Sequence, residues 1–167
     1  MIRECRPAEF DDICVVINDA AATYRGVIAG DCWKDPYMSA EELQHEMDDA
    51  VRFWGFFDGE RLLAVMGLQH VGDVALIRHA YTSTASQGTG IGTALLAHLR
   101  GRTDRPMLVG TWKAAIWAVR FYQRRGFRLV TAPQKDALLR RYWTVSERQI
   151  EESVVLADAR WFEASGR

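Results

Sequence analysis

Apolar positions along the chain switch between helical and strand-like spacing, and this pattern predicts a mixed α/β fold. Between residues 10 and 17 they recur at intervals of three or four, the spacing of one helix face. Short apolar runs at 53–57 and 62–68 flank Asp58-Gly59. That dipeptide is a strong hairpin signal, because both turn positions favour positive φ.

Periodicity, turn signals and capping signals together predict seven strands and five helices. The strands are predicted over 2–6, 53–57, 62–68, 74–82, 107–111, 127–130 and 154–156. The helices are predicted after Pro7, after the capping pattern that begins at Ser39, after the glycine-rich stretch at 87–92, over 114–125 and over 134–143. The order is β-α-α-β-β-β-α-β-α-β-β, with an extra helical insertion before the last strand. This order predicts a mixed, mostly antiparallel central sheet flanked by helices.

The stretch Gln87-Gly88-Thr89-Gly90-Ile91-Gly92 lies where a predicted strand leads into a predicted helix. Glycines at every second position leave backbone N–H groups unobstructed. Those groups and the positive end of the helix dipole favour an anion such as a phosphate. A merely flexible turn explains the glycines as well. Two known phosphate patterns fail, since Thr93 breaks the dinucleotide motif and no glycine is followed by the lysine of a P-loop.

Composition excludes several classes of partner but does not identify the function. The 167 residues favour one domain over 1–167. With 21 basic and 22 acidic residues, the chain has no global attraction to nucleic acid or to a membrane surface. Its three cysteines show no metal-ligand spacing, and no secretion signal is evident at the start. We therefore expect a cytoplasmic protein with no metal, no nucleic-acid partner and no membrane partner.

Three stretches resemble the GNAT acetyltransferase superfamily. The first is Gln87-x-x-Gly90-x-Gly92, which is similar to the family's acyl-CoA pyrophosphate loop. The second runs from Ala118 to Phe127 and resembles the element A-x-x-(F/L)-Y-x-x-x-G-F, and the chain's opening resembles the family's first strand and helix. The resemblance implies a GNAT-like fold and an N-acetyltransferase that transfers acetyl from acetyl-CoA directly to a primary amine in a ternary complex. It also implies a homodimer as a common state.

The resemblance assigns roles to particular residues. It implies that the phosphates and the pantetheine arm are held by Ala80, Tyr81, Thr82, Gln87, Gly88, Thr89, Gly90, Ile91, Gly92 and Thr93. Tyr122 matches the tyrosine that faces the thioester sulphur and serves as general acid. A phenol is protonated at neutral pH, as a proton donor must be. The alternative is that Trp117, Phe121 and Tyr122 form an aromatic face that fills the core.

Two departures from the family pattern leave part of the chemistry open. Ala115 stands where the family often has an asparagine that contacts pantetheine. The positions of the frequent general-base glutamates hold Leu76 and Gly110. The base is then either His79, since histidine exchanges protons near neutral pH, or water. A histidine used only for packing is the plainer interpretation, and a non-catalytic acyl-CoA-binding or regulatory module is the alternative function.

Two further groups of residues could contact the substrates. Lys113, Arg120, Arg124 and Arg125 could meet the 3′-phosphate of CoA, although a solvated basic face explains them equally. The loop that carries Tyr24, Asp31, Trp33, Asp35, Tyr37 and Met38 is rich in aromatic residues, which suggests a pocket wall. Its aspartates could attract a cationic amine. The sequence assigns no acceptor residue, and the amine could belong to a small molecule or to a peptide.

Overall fold

One mixed sheet of seven strands forms the centre of the computed structural model, which describes residues 1–166. In chain order the strands are β1 (Ile2–Glu4), β2 (Arg52–Asp58), β3 (Arg61–Val71), β4 (Val74–Thr82), β5 (Met107–Trp112), β6 (Arg128–Leu129) and β7 (Ser153–Ala157). Their order across the sheet is β1-β2-β3-β4-β5-β7-β6. Every neighbouring pair is antiparallel except β4 and β5, which are parallel. The predicted fold class is confirmed.

Seven α-helices accompany the strands within the described residues. They are α1 (Phe10–Ala21), α2 (Ala40–Asp48), α3 (Ile91–Arg100), α4 (Ile116–Gln123), α5 (Ala132–Tyr142), α6 (Glu147–Glu151) and α7 (Ala159–Ala164). The first five correspond to the predicted helices, and α5 is the insertion before the last strand. The predicted cap is present, because Ser39 Oγ accepts a hydrogen bond from the Glu42 amide at 3.1 Å. The short helices α6 and α7 were not predicted, since a helix of five or six residues shows too little periodicity.

The hairpin between β2 and β3 differs by one position from the prediction. Asp58 still pairs with Arg61, so the two turn residues are Gly59 and Glu60. Gly59 takes the positive φ, at 59°, and Asp58 stays in the strand. The predicted turn at Gly72 is confirmed, with φ at 54°. A glycine at the first turn position relieves the aspartate of any need for positive φ.

Helices cover both faces of the sheet. Alternate residues of the strands point to opposite faces, so neighbours such as Ala75 and Leu76 belong to different core clusters. On one face α3 and α4 pack through Leu95, Leu96 and Tyr122. On the other face α1 and α2 cover the β2–β4 half, while α5, α6 and α7 cover the β5–β7 half. A seam therefore remains on this second face between two groups of helices, beside the junction of β4 and β5.

Candidate functional site

The sheet opens where β4 and β5 separate. The two strands pair only over 75–77 of β4 and 107–109 of β5. Beyond that, β4 continues along β3 to Thr82, and β5 continues along β7 to Trp112. A cavity of about 360 Å³ occupies the gap and is lined by residues of both strands. The structure thus brings the ends of these two strands to one cavity.

A bulge in β4 accompanies this separation. Val65 of β3 pairs with Tyr81, whereas Gly67 pairs with Arg78, so two residues of β4 lie opposite one residue of β3. His79, in the bulge, has a positive φ of 53°. Gly67 is needed for the close approach, since a Cβ there would lie 2.7 Å from the Arg78 carbonyl oxygen. The bulge places residues 79–82 along the cavity, which includes the predicted Ala80, Tyr81 and Thr82.

The glycine-rich loop joins β4 to α3 beside the same cavity. Gly88 and Gly90 have positive φ angles of 74° and 84°, and a Cβ on either would meet no atom within 4 Å. Gly90 is the N-cap of α3, and no side chain caps this helix end. Gln87 and Gly92 line the cavity. The first N–H groups of this ten-residue helix therefore have no side-chain cap, and the helix begins beside the cavity, which suits an anionic group.

The remaining loop positions support the loop itself. Thr89 Oγ1 donates to the Ser86 carbonyl oxygen at 2.6 Å, and the Gln87 amide group donates to the Thr82 carbonyl oxygen at 3.3 Å. Ile91 is buried in the core beneath α3. Thr93 lies in the first turn of α3 and is exposed. All seven predicted loop residues therefore lie between the end of β4 and the first turn of α3.

One arginine of the predicted basic group reaches this loop. Arg125 Nε donates to Thr93 Oγ1 at 2.8 Å, and its Nη1 donates to the Phe121 carbonyl oxygen at 2.7 Å. Its guanidinium also lies 3.8 Å from the centroid of the Phe121 ring. The other members differ: Lys113 pairs with Glu152 at 3.3 Å, while Arg120 and Arg124 are exposed. Arg125 is thus the member of the group held beside the α3 N-terminus.

Tyr122 of α4 lines the cavity together with residues of β4 and β5. Its side chain is buried, and its ring makes edge contacts with Phe121 and Phe127 at centroid distances of 5.0 and 5.5 Å. Burial raises the pKa of Tyr122 well above its ordinary value. Its hydroxyl makes no hydrogen bond with any residue that the structure describes. Tyr122 is therefore both part of the core and a protonated hydroxyl at the cavity.

His79 also lines the cavity, but one ring nitrogen faces away from it. Nε2 lies 3.4 Å from Glu46 Oε2 of α2, a distance that is long for a hydrogen bond and is best described as an electrostatic contact. The ring stacks on Phe53 at 6.1 Å between centroids. Glu46 also pairs with Arg78 at 2.8 Å. Burial raises the pKa of Glu46, but the contacts with His79 and Arg78 outweigh burial and hold it below its ordinary value.

The aromatic loop between α1 and α2 forms a second wall, as suggested by its composition. Tyr24 and Tyr37 line the cavity, and Trp33 stacks on Tyr37 at 5.7 Å. Met38 does not belong to this wall, because it is buried in the cluster between α1 and α2. The aspartates of the loop are not in the lining: Asp31 is bound to Arg148 at 2.8 Å, and Asp35 is exposed.

Several cavity residues were not singled out from the sequence. Trp112 is the last residue of β5, Trp143 and Gln149 come from the segment between α5 and β7, and Ser153 is the first residue of β7. These residues share no motif with the glycine loop and are brought to it only by the sheet order. The one local signal was aromatic content, which Trp112 and Trp143 share with many core residues.

Residues 1–166 offer neither a metal centre nor a membrane-spanning helix. No group of three or more His, Cys, Asp or Glu side chains in this range is arranged to hold a metal ion. In the same residues no helix combines the length and the apolar character needed to cross a membrane.

Comparison with known families gives one match over most of the chain. Residues 18–141 match the model of the acetyltransferase (GNAT) domain. This range is more than half of the sequence and contains both the glycine loop and Tyr122. A comparison with curated proteins gave no match.

Solved structures share the fold at low sequence identity. An acetyltransferase of the GNAT family from Staphylococcus aureus Mu50 is 14% identical, with a TM-score of 0.71 over 95% of this chain and 97% of that one. PaiA N-acetyltransferase from Thermoplasma acidophilum, solved in complex with coenzyme A, is 16% identical, with a TM-score of 0.70 over 95% and 97%. The ribosomal-protein-S18-alanine N-acetyltransferase from Escherichia coli is 15% identical, with a TM-score of 0.68 over 95% and 92%. At such identities the likeness concerns the fold.

Proposed function

The chain belongs to the GNAT acetyltransferase family, and on that premise we propose that it is an acetyl-CoA-dependent N-acetyltransferase. Residues 1–167 form one catalytic domain, which transfers acetyl directly to a primary amine while both substrates are bound. One observation carries the proposal. The uncapped N-terminus of α3 and the hydroxyl-bearing ring of Tyr122 border the same cavity in the β4–β5 gap.

The cavity residues fit the chemistry of CoA. The N–H groups around Gly88 and Gly90 would hold the pyrophosphate, because they lie at an uncapped helix N-terminus where no side chain obstructs them. Arg125 would add a positive charge there. Residues 80–82 leave the pairing with β5 and would offer backbone groups to the pantetheine amides.

Tyr122 serves as the general acid in this proposal. Acetyl-CoA supplies the acetyl group as a thioester, whose sulphur must leave with a proton. Tyr122 holds a proton at the cavity, and burial raises the pKa of its hydroxyl, so the proton is present throughout the physiological range. The amine loses one proton as the sulphur gains one, so the overall transfer is balanced.

The proton of the attacking amine goes to His79 or to water. In the first route Glu46, which lies 3.4 Å from His79 Nε2, would orient the ring. Nδ1 would then accept the proton. An amine that enters from solvent in its neutral form needs no such group. The dependence of kcat/KM on pH distinguishes the two routes.

Acetyl-CoA binding by calorimetry is the first test of this function. We expect micromolar binding, followed by release of free thiol when an acceptor amine is added. Binding without thiol release for any amine class would favour a non-catalytic acyl-CoA-binding module. Absence of binding would overturn the assignment of the glycine loop.

A further inference from the structure

Five aromatic side chains surround the part of the cavity next to the segment between α1 and α2. Tyr24 is central: its ring lies 5.3 Å from Tyr37, 6.2 Å from Tyr81 and 6.0 Å from Trp117, which it stacks against. Trp112 completes the group, because its indole Nε1 donates to the Tyr37 hydroxyl at 2.7 Å. We call these five residues the aromatic box. All of them line the cavity.

The aromatic box carries no charge at physiological pH. Burial raises the pKa of the Tyr24, Tyr37 and Tyr81 hydroxyls above its ordinary value. The three phenols therefore stay neutral and serve only as hydrogen-bond donors and acceptors. The hydroxyls already have polar partners within the group, because Tyr37 accepts from Trp112 at 2.7 Å and Tyr81 interacts with the hydroxyls of both Tyr24 and Tyr37.

Among the described residues, the cavity lining also lacks a carboxylate that could pair with an additional positive charge on an acceptor amine. No aspartate or glutamate occurs among the described residues that line it. Arg78 lines it, but its charge is balanced by Glu46 at 2.8 Å, and its Nη1 donates to Gln69 Oε1 at 2.9 Å. Asp31, a carboxylate of the loop that carries Tyr37, is held by Arg148 through two hydrogen bonds of 2.8 and 3.2 Å.

The Asp31–Arg148 pair also bears on the size of the acceptor. Asp31 belongs to the segment that carries Tyr37, and Arg148 belongs to α6, next to Gln149 of the opposite wall. The pair joins these two segments, which are 117 positions apart in sequence. A cavity whose walls are joined in this way suits a small molecule better than an extended polypeptide.

We infer that the acceptor is a small primary amine carried on an aromatic or bulky apolar scaffold, with no second charge. This inference rests on the proposed acetyltransferase function and names the substrate class of the same cavity. Such a scaffold gains by leaving water and by edge or stacked contacts with the box. A polyamine would lose hydration at its additional ammonium groups without gaining a carboxylate partner. An amino acid would bring a carboxylate to a cavity whose one arginine is already paired.

The test begins with calorimetry, so that a failure of the proposed function can be distinguished from a failure of the inferred acceptor class. CoA is titrated first, and loss of CoA binding counts against the proposed function alone. 2-Phenylethylamine, spermidine, glutamate and an alanine-terminated peptide are then titrated into the CoA-saturated protein and assayed for thiol release with acetyl-CoA. We expect 2-phenylethylamine to bind and to exceed each of the others in kcat/KM by about tenfold or more, in line with one lost aromatic contact or one unpaired charge. Better use of spermidine, glutamate or the peptide, with CoA binding intact, would overturn the inference.

A pair of tryptophan variants tests whether the aromatic box determines the selectivity for the amine. Trp117→Leu removes a ring that is half exposed on α4, so the core is little disturbed. We expect it to weaken 2-phenylethylamine binding about tenfold while CoA affinity changes less than twofold. Trp54→Leu is the control, since Trp54 lies on β2 outside the cavity lining. Equal effects of the two variants, or retained amine affinity in Trp117→Leu, would contradict the role of the box.

Discussion

Arg125, just after α4, donates from Nε to Thr93 Oγ1 in the first turn of α3 at 2.8 Å. This contact holds a guanidinium beside helix N–H groups that have no side-chain cap. Two positive features without a carboxylate between them form a site for an anion. The pair therefore joins the glycine loop to the second family motif, two stretches that are separate in the sequence.

The first prediction concerns this arginine. Arg125→Gln should weaken CoA binding about tenfold, because it removes a charge-assisted hydrogen bond near the pyrophosphate. Calorimetry at two salt concentrations measures the change and its ionic-strength dependence. Arg124→Gln is the matched control, since it removes the same charge from an exposed neighbour. Similar losses for both variants would show that CoA responds to the overall positive charge of this surface and not to the specific position of Arg125.

The second prediction compares two glycines with the same backbone conformation. Gly90 and Gly26 have φ angles of 84° and 77°, and a Cβ added to either would meet no atom within 4 Å. Alanine at either position should lower the free energy of unfolding by about 1 kcal/mol, from the left-handed conformation. Gly90→Ala alone should also lose CoA affinity, by about tenfold or more. Denaturant melts and calorimetry on both variants make the comparison, and unchanged CoA affinity in Gly90→Ala would remove the loop from the binding site.

The third prediction tests the general acid. Tyr122→Phe should lower kcat about 100-fold while CoA affinity stays within about twofold, because only the hydroxyl is removed from a ring that remains packed. Steady-state kinetics and calorimetry separate the two quantities. Tyr142→Phe is the control: it also removes a hydroxyl from a buried ring, but one that is bonded to Asp73 outside the cavity. Unchanged kcat in Tyr122→Phe would exclude Tyr122 from proton transfer.

These predictions depend on parts of the structure that the sequence reveals to different degrees. The element order and the loop at Gly88 and Gly90 could be predicted, because periodicity, turns and motif spacing are local properties. The separation of β4 from β5 depends on which strands pair and over what length, and no local pattern in the sequence indicates it. The bond between Trp112 and Tyr37 joins residues 75 positions apart, and nothing near either residue indicates it. The same is true of Asp31 and Arg148, so the carboxylate that could have attracted an amine is already paired.

The fourth prediction concerns stability in acid. Glu9 is buried and accepts hydrogen bonds from Arg3 at 2.5 and 2.9 Å, and the Arg3 hydrogen bond is the main cause that lowers the pKa of Glu9 to about 2. A carboxylate whose pKa is lower in the folded state stabilises the fold above its unfolded pKa. That contribution is lost as the pH falls from about 4.5 toward 2.

Glu9→Gln should therefore lower the free energy of unfolding by about 2–3 kcal/mol at neutral pH and by much less near pH 2. Denaturant unfolding across this range measures the difference between the variant and the parent chain. Glu60→Gln, in the exposed β2–β3 turn, is the matched control and should show almost no change at either pH. A loss at Glu9 that does not depend on pH would point to packing rather than charge.

The last prediction decides how the acceptor amine loses its proton. His79→Asn keeps a residue type that tolerates the positive φ of 53° and removes the imidazole. If His79 is the base, kcat/KM at neutral pH falls and its acidic limb flattens; a limb that is unchanged assigns the step to water. On the alkaline side activity should not decline through pH 9, because burial raises the pKa of Tyr122 and keeps its proton in place.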